Sequence, residues 1–316
     1  MRFKSPSAYA EGDFLSSLPP LPRHKMAQTR KVGGDWMERK LQFCLVGGDR
    51  RQLYLASQLA ADGHTVYTAA LSDSADLSVS AWGDCVVLPM PPTDSAGMLH
   101  APMVSGKVPI DEVLAVLRPE QYIFAGKVSP ALHARAEARG LVIHDYLLRD
   151  ELAIANAVPT AEGALQLAME VLPSTIHRSR VLVVGFGRVG QCTADRFQAL
   201  GSEVTVAARR AGQLALAESM GCTPLPLHLL GRGCEQWELV INTVPSPILG
   251  RGQLERAGAP VLMELASPPG GFDMEWVEAA GLRHIPAPGL PGKVAPAAAA
   301  RAIRTTLYAM LDELGV

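Results

Sequence analysis

Val181-Leu182-Val183-Val184-Gly185-Phe186-Gly187-Arg188-Val189-Gly190 constrains this chain more than any other stretch. Four apolar residues run into GxGxxG, and an amphipathic segment follows as far as Leu200. In that setting the three glycines have separate tasks. Gly185 permits a tight turn, Gly187 lets a pyrophosphate reach the backbone, and Gly190 lets the following helix close on the strand. Free amides at the helix start, together with its dipole, then favour phosphate. The run predicts a Rossmann-type dinucleotide-binding domain in the second half of the chain, with Gly185, Phe186, Gly187, Arg188, Val189 and Gly190 against the cofactor.

The end of the next apolar run bears on which dinucleotide. A domain selective for NAD usually carries an acid there to accept from the ribose 2′-hydroxyl. This chain reads Val204-Thr205-Val206-Ala207-Ala208-Arg209-Arg210, with Glu203 at the wrong end. Guanidinium groups suit a 2′-phosphate, so Arg209 and Arg210 favour NADP. Asn242-Thr243-Val244-Pro245 follows a later apolar run and falls beside the nicotinamide end.

Short apolar runs at 41–46, 64–69, 85–88, 122–125 and 141–144 precede this region, and others at 181–184, 204–207, 239–242, 261–265 and 282–285 form it. Helical patterns fill several of the gaps, which argues for parallel sheets covered on both faces. The expected fold class is α/β, with two doubly wound parallel-sheet domains, the second a Rossmann dinucleotide-binding domain. The expected division is a flexible extension at 1–40, a flavodoxin- or Rossmann-like substrate domain at 41–158, a nucleotide domain at 159–292, and a last helix at 293–316 that packs back on the first domain. Residues 160–172 read as a helix capped by Thr160 and stopped by Pro173. Pro296 interrupts the last helix early. Residues 89–108, rich in Pro, Gly and Ser, form a long loop near the first sheet's carboxyl edge. Met26 and Met37 offer internal starts within the extension.

Composition narrows the function classes. Of 316 residues 48% are hydrophobic and 19% charged, and the formal net charge is −2. Neither nucleic acid nor an anionic membrane surface is an expected partner. No run reaches the roughly 18 uninterrupted apolar residues that a membrane span needs. The five cysteines, Cys44, Cys85, Cys192, Cys222 and Cys234, include no CxxC pair. They suit a reducing cytoplasm better than a disulfide framework or a metal centre. Strings typical of serine hydrolases, zinc proteases, P-loop kinases and EF-hands are missing.

Ligands in doubly wound sheets lie beyond the carboxyl ends of the strands. Polar candidates there on the first-domain side are Asp49, Arg50, Lys127, Asp145, Arg149, Asp150, Thr160 and Glu162. His144 and His284 end strands and titrate near neutrality, although strand-end packing is their more ordinary role. The stretches 264–271 and 286–293 are Pro/Gly-rich loops on the same side as the nucleotide.

Several runs are similar to the family of the dipicolinate synthase A subunit. They are Val46-Gly47-Gly48-Asp49-Arg50-Arg51-Gln52-Leu53, Arg149-Asp150-Glu151-Leu152-Ala153-Ile154-Ala155-Asn156, Pro159-Thr160-Ala161-Glu162-Gly163, Thr175-Ile176-His177, Ile241-Asn242-Thr243-Val244-Pro245-Ser246, Leu265-Ala266-Ser267 and Ala287-Pro288-Gly289-Leu290-Pro291-Gly292. The pattern departs at Pro268, where the family carries a basic residue, and at Ala297-Ala298, where it carries Lys-Thr. The resemblance implies a cytoplasmic oxidoreductase of the lysine/diaminopimelate branch, active in the mother cell of an endospore former. It would oxidise a dihydrodipicolinate-type intermediate to dipicolinate with NADP, alongside a flavoprotein-like B subunit. Thr160, Glu162, Gly163, Ser267, Gly289, Leu290, Pro291 and Gly292 would face the small dicarboxylate. No residue stands out as the catalytic base. Two other readings stay open: an NAD(P)-dependent 2-hydroxyacid-type dehydrogenase, and a non-catalytic nucleotide-binding scaffold subunit. Nothing in the residues decides whether copies of the chain associate as a homo-oligomer.

Overall fold

The structure, a computed structural model, describes residues 40–71, 76–233 and 236–316. The expected extension at 1–40 lies outside them, Lys40 excepted.

The first sheet is built from β1 (Gln42–Val46), β2 (Thr65–Ala69), β3 (Cys85–Val87), β4 (Tyr122–Ala125) and β5 (Ile143–Asp145), with α1 (Arg50–Ala61), α2 (Ile110–Val116) and α3 (Pro130–Glu137) between them. All its pairings are parallel, in the order β2-β1-β3-β4-β5. The long helix α4 (Asp150–Val171) leads into the second sheet. That sheet comprises β6 (Arg180–Val184), α5 (Arg188–Ala199), β7 (Glu203–Ala208), α6 (Ala211–Ser219), β8 (Thr223–Pro226), β9 (Leu239–Asn242), α7 (Arg251–Leu254), β10 (Val261–Glu264), α8 (Met274–Ala279) and β11 (His284–Pro286). It too is wholly parallel, in the order β11-β10-β9-β6-β7-β8. The chain ends in α9 (Leu290–Val294) and α10 (Pro296–Glu313).

The pleat explains why the strands read as unbroken apolar runs. Successive side chains point to opposite faces, and both faces are covered. Phe43 and Leu45 enter one core while Cys44 and Val46 enter another. In the second sheet, Val181 and Val183 face one core, Leu182 and Val184 the other.

Two local expectations are corrected. The helix expected from Thr160 begins at Asp150 and runs through Pro159. Thr160 does not cap it; its hydroxyl donates to the Asn156 carbonyl at 2.7 Å, one turn back. Asp150 and Glu151 in the first turn suit the positive end of the helix dipole. Packing against α5, α9 and α10 overrides the proline's cost. The second correction is β8, whose Thr-Pro-Leu-Pro sequence hides a strand. It sits at the sheet's edge, where a missing N–H is tolerated.

The final helix belongs to the first sheet's core. Ala300, Ile303, Leu307 and Leu311 pack with Phe43, Leu45 and Leu55. Asp62, just past α1, accepts from Arg304 Nη1 at 2.9 and 3.1 Å and from the Tyr308 hydroxyl at 2.7 Å. His64 lies beside this latch. Its ring centroid is 5.1 Å from that of Phe43 and 5.7 Å from that of Tyr308, and its Nδ1 accepts from the Leu41 amide.

Burial lowers the pKa of His64 against the opposing pull of Asp62, and burial also lowers those of His144 and His284. The unfolded chain takes up protons near the ordinary value of 6.5 while the folded chain resists. Stability is therefore expected to fall as pH drops through and below that value. Melting curves at about pH 7.5 and about pH 5.5 should show a lower midpoint in acid, with a smaller gap for His64→Gln. An unchanged gap would remove His64 from the account.

Candidate functional site

At the end of β6 the Gly185 amide donates to the Ala207 carbonyl at 2.9 Å, which ties the glycine turn to β7. Gly185 has φ +90°, a conformation that L side chains rarely adopt, and a Cβ there would lie 2.5 Å from Thr243 Oγ1. A Cβ on Gly190 would run into the Gly185 carbonyl oxygen. Gly187 is different: a Cβ there meets nothing within 4 Å. It stands at the start of α5 with no side chain capping the helix amides. The turn is thus closed against its own protein at Gly185 and Gly190 and open at Gly187. An open turn over uncapped amides fits a dinucleotide pyrophosphate.

The other predicted cofactor residues fall around this turn. The Phe186 side chain is buried in the core, and its carbonyl accepts from Gln191 Nε2 and Gln213 Nε2, each at 3.1 Å. Gln213 therefore pins the start of α6 beside the glycine turn, and Arg209 and Arg210 stand exposed between β7 and α6. Val189 is half-buried, while Arg188 is exposed and reaches Asp150 Oδ1 at 2.5 Å. An exposed pair of this kind adds little stability, but it links the turn to the first turn of α4.

The loops after β9, β10 and β11 lie side by side at one sheet edge. The Leu265 amide donates to the Asn242 carbonyl and the Ala287 amide to the Glu264 carbonyl, both at 2.9 Å. Thr243 donates back to the Val184 carbonyl, and Asn242, fully buried, gives its Nδ2 to Glu264 Oε1 and to the Val244 carbonyl. These two side chains are spent inside the protein, whereas Val244 is half-buried and Pro245 exposed. Glu264, which sequence reasoning does not single out, is the hub. It also accepts from the Ala266 and Gly271 amides at 3.0 and 2.7 Å, so the loop carrying exposed Ser267 wraps around its carboxylate.

The predicted substrate residues are only partly gathered. Gly163 is buried, and a Cβ there would press within 3.1 Å of Leu290. Leu290 is itself 3% exposed, so this pair seats α9 on α4. Thr160 is half-buried and Glu162 exposed on the same helix. Gly289, exposed, takes a left-handed φ of +68° and starts α9, with Pro291 in its first turn.

Gly292 brings in a residue from the first sheet. A Cβ on Gly292 would lie 2.9 Å from Arg51 Nε. Arg51 follows β1, and its guanidinium grips Asp49 with Nε–Oδ1 at 2.9 Å and Nη2–Oδ2 at 2.8 Å. Nη2 also donates to the Met90 carbonyl at 2.8 Å. Burial opposes ionisation of Asp49, but hydrogen bonds and charge from Arg51 outweigh it and hold the carboxyl below its ordinary range. The loop at 89–108 covers this corner, with the His100 carbonyl accepting from the Gly48 amide at 2.7 Å. Across the sheet, Asp145 accepts from the Lys127 and Val128 amides and holds exposed Lys127 at φ +62°. His144 packs its ring near Phe124, and His284 opens β11 with Nε2 buried and without a partner among the described residues.

Comparison with known proteins bears on both sheets. Residues 42–147 match the model of the N-terminal domain of the dipicolinate synthase A subunit. Residues 151–246 match that of the D-isomer specific 2-hydroxyacid dehydrogenase NAD-binding domain. The second sheet is thus a Rossmann-type, nicotinamide-dinucleotide-binding domain of oxidoreductase kind. The crystal structure of the dipicolinate synthase A subunit from Bacillus halodurans superposes with a TM-score of 0.79 at 28% identity, covering 86% of this chain and 97% of that one. Its counterpart from Bacillus subtilis gives 0.77 at 30%, covering 88% and 97%. In sequence, this chain is 31% identical over 288 residues to the dipicolinate synthase A subunit of Bacillus subtilis (strain 168), across 87% of this chain and 97% of that protein. With both sheets and nearly the whole length of that relative accounted for, the chain belongs to the dipicolinate synthase A-subunit family.

Proposed function

We propose that this chain oxidises a dihydrodipicolinate-type intermediate of the lysine/diaminopimelate branch to dipicolinate, with NADP as the acceptor. Family membership supports the substrate class. The observation that carries the cofactor choice is the exposed pair Arg209 and Arg210 at the carboxyl end of β7, beside the glycine turn, where a domain selective for NAD would place an acid. Bound NADP supplies the two-electron acceptor, and loss of two electrons and two protons makes the pyridine ring aromatic. The chain's own contribution is placement. Gly187 and the α5 amides receive the pyrophosphate, Arg209 and Arg210 receive the 2′-phosphate, and Val244 and Pro245 border the nicotinamide end. Ser267 and residues 289–292 at the start of α9, which forms a helix where the sequence suggested a loop, border the dicarboxylate with Thr160 and Glu162 on α4. The second proton leaves to solvent or to a base that the geometry does not single out.

The resemblance further suggests work alongside a flavoprotein-like B subunit in the cytoplasm of a sporulating mother cell. No helix among the described residues is long and apolar enough to cross a membrane. The test is a fluorescence titration with NADPH and NADH, followed by a dipicolinate assay with and without the B subunit. Wild type should prefer NADPH, and Arg209→Ala should weaken NADPH at least about tenfold while leaving NADH nearly unchanged. Equal affinities untouched by the substitution would sink the NADP assignment. Absence of dipicolinate with the B subunit present would sink the reaction.

A further inference from the structure

We propose that Arg51, in the first turn of α1 just after the first sheet's β1, is the residue that recognises one carboxylate of the substrate. This rests on the proposed reaction and adds to it a cation that no comparison assigns. Three observations carry it. First, the side chain is only 12% exposed, yet it lies at the carboxyl edge of β1 rather than within the core. Such edges are where doubly wound sheets take ligands. Second, the guanidinium is held from two sides. Asp49 takes Nε and Nη2, and the Met90 carbonyl takes Nη2 again. Nη1 has no partner among the described residues and is not among their buried, unsatisfied atoms. An arginine fixed in this way has its orientation set in advance and keeps the two N–H donors of Nη1 for an anion. Third, the guanidinium faces Gly292, where any Cβ would crowd Nε, Cδ and Cζ within 3.3 Å. Gly292 belongs to α9, the short helix that follows β11, so this cation meets the element that leaves the nicotinamide-side edge. Lys127, held in its unusual backbone conformation by Asp145, follows β4 on the same sheet, in which one strand separates β4 from β1.

The experiment compares the full-length wild type with Arg51→Gln and Arg51→Lys in the presence of NADPH. Binding of pyridine-2,6-dicarboxylate and of pyridine-2-carboxylate is measured by calorimetry, with NADPH affinity as the control for folding. Wild type should prefer the dicarboxylate at least about tenfold. Arg51→Gln should lose that preference and keep its NADPH affinity within about twofold. Arg51→Lys should fall between them, since an ammonium that holds Asp49 and Met90 has one N–H left where the guanidinium has two. A general loosening of the site would weaken both ligands together and leave their ratio unchanged. A variant that binds NADPH normally and keeps the wild-type ratio overturns the role of Arg51. If Arg51→Gln fails to bind NADPH, Arg51→Lys is judged by the same ratio. A wild type that binds neither pyridine acid takes down the substrate reading itself.

Discussion

Gly187→Ala is expected to leave the protein folded and to abolish dinucleotide binding, while Gly190→Ala destabilises the fold itself. The two glycines lie three residues apart in one motif, but a methyl group meets different things at each. At Gly187 it meets no protein atom within 4 Å. The backbone there, φ −86° and ψ −163°, is extended and open to any residue. Folding stability should therefore shift by no more than about 0.5 kcal/mol. The space the methyl group fills is the space over the uncapped α5 amides. A pyrophosphate must enter it to be held, so affinity for NADPH should drop at least about 100-fold. At Gly190 the methyl group collides with the Gly185 carbonyl, a backbone atom that no rotamer change can move away. Helix α5 must then back off from β6, at a cost of about 1–3 kcal/mol or more. Denaturant unfolding and NADPH titration of both variants separate the two effects. Normal NADPH binding by Gly187→Ala would show that the dinucleotide does not lie on this turn.

The contrast shows why some parts of this protein are legible in its sequence and others are not. The glycine turn is local: strand, turn and helix start lie within ten consecutive residues, and Gly185 and Gly190 answer backbone demands within it. The buried strands are legible for the same reason, because covering both faces leaves continuous apolar runs. What stays hidden depends on distant partners. Helix α4 starts ten residues before Thr160 because α5, α9 and α10 pack along it, and no local propensity announces that Pro159 will be carried inside. Strand β8 has alternate prolines and is a strand only because β7 offers it an edge. Glu264 resembles an ordinary strand-end acid until Asn242 and the amides of Ala266 and Gly271 converge on it. Arg51 leaves a faint trace: an Asp two residues before an Arg, just after an apolar strand, is spaced for a helix cap that also holds the guanidinium. Its neighbour Gly292 is 241 positions away, and only the fold brings them together.

Leu307→Ala is expected to cost about 2–5 kcal/mol, a large part of the roughly 5–15 kcal/mol that holds an ordinary domain together. Leu307 is fully buried near the end of the chain, in the core that also holds Phe43, Leu45 and Leu55. The first sheet is therefore unfinished until α10 has docked, and a cavity there strikes the first strand of the fold from its last helix. The loss should not stay local. Helix α4 contributes Leu152 to this same core and Ala164 and Ala168, all fully buried, to the core of the second sheet. One continuous helix cannot leave the first core without disturbing the second, so denaturant curves should show a single transition displaced to lower concentration rather than a new early phase. Met169→Ala on the exposed face of α4 is the control and should change stability by less than about 0.5 kcal/mol. Because the glycine turn lies on the second sheet, the folded variant should still bind NADPH, and saturating NADPH should raise its midpoint as it does for wild type. A split transition in which only the first sheet's signal moves would show that α4 does not couple the two. A loss below about 1 kcal/mol would show that α10 does not complete the first core.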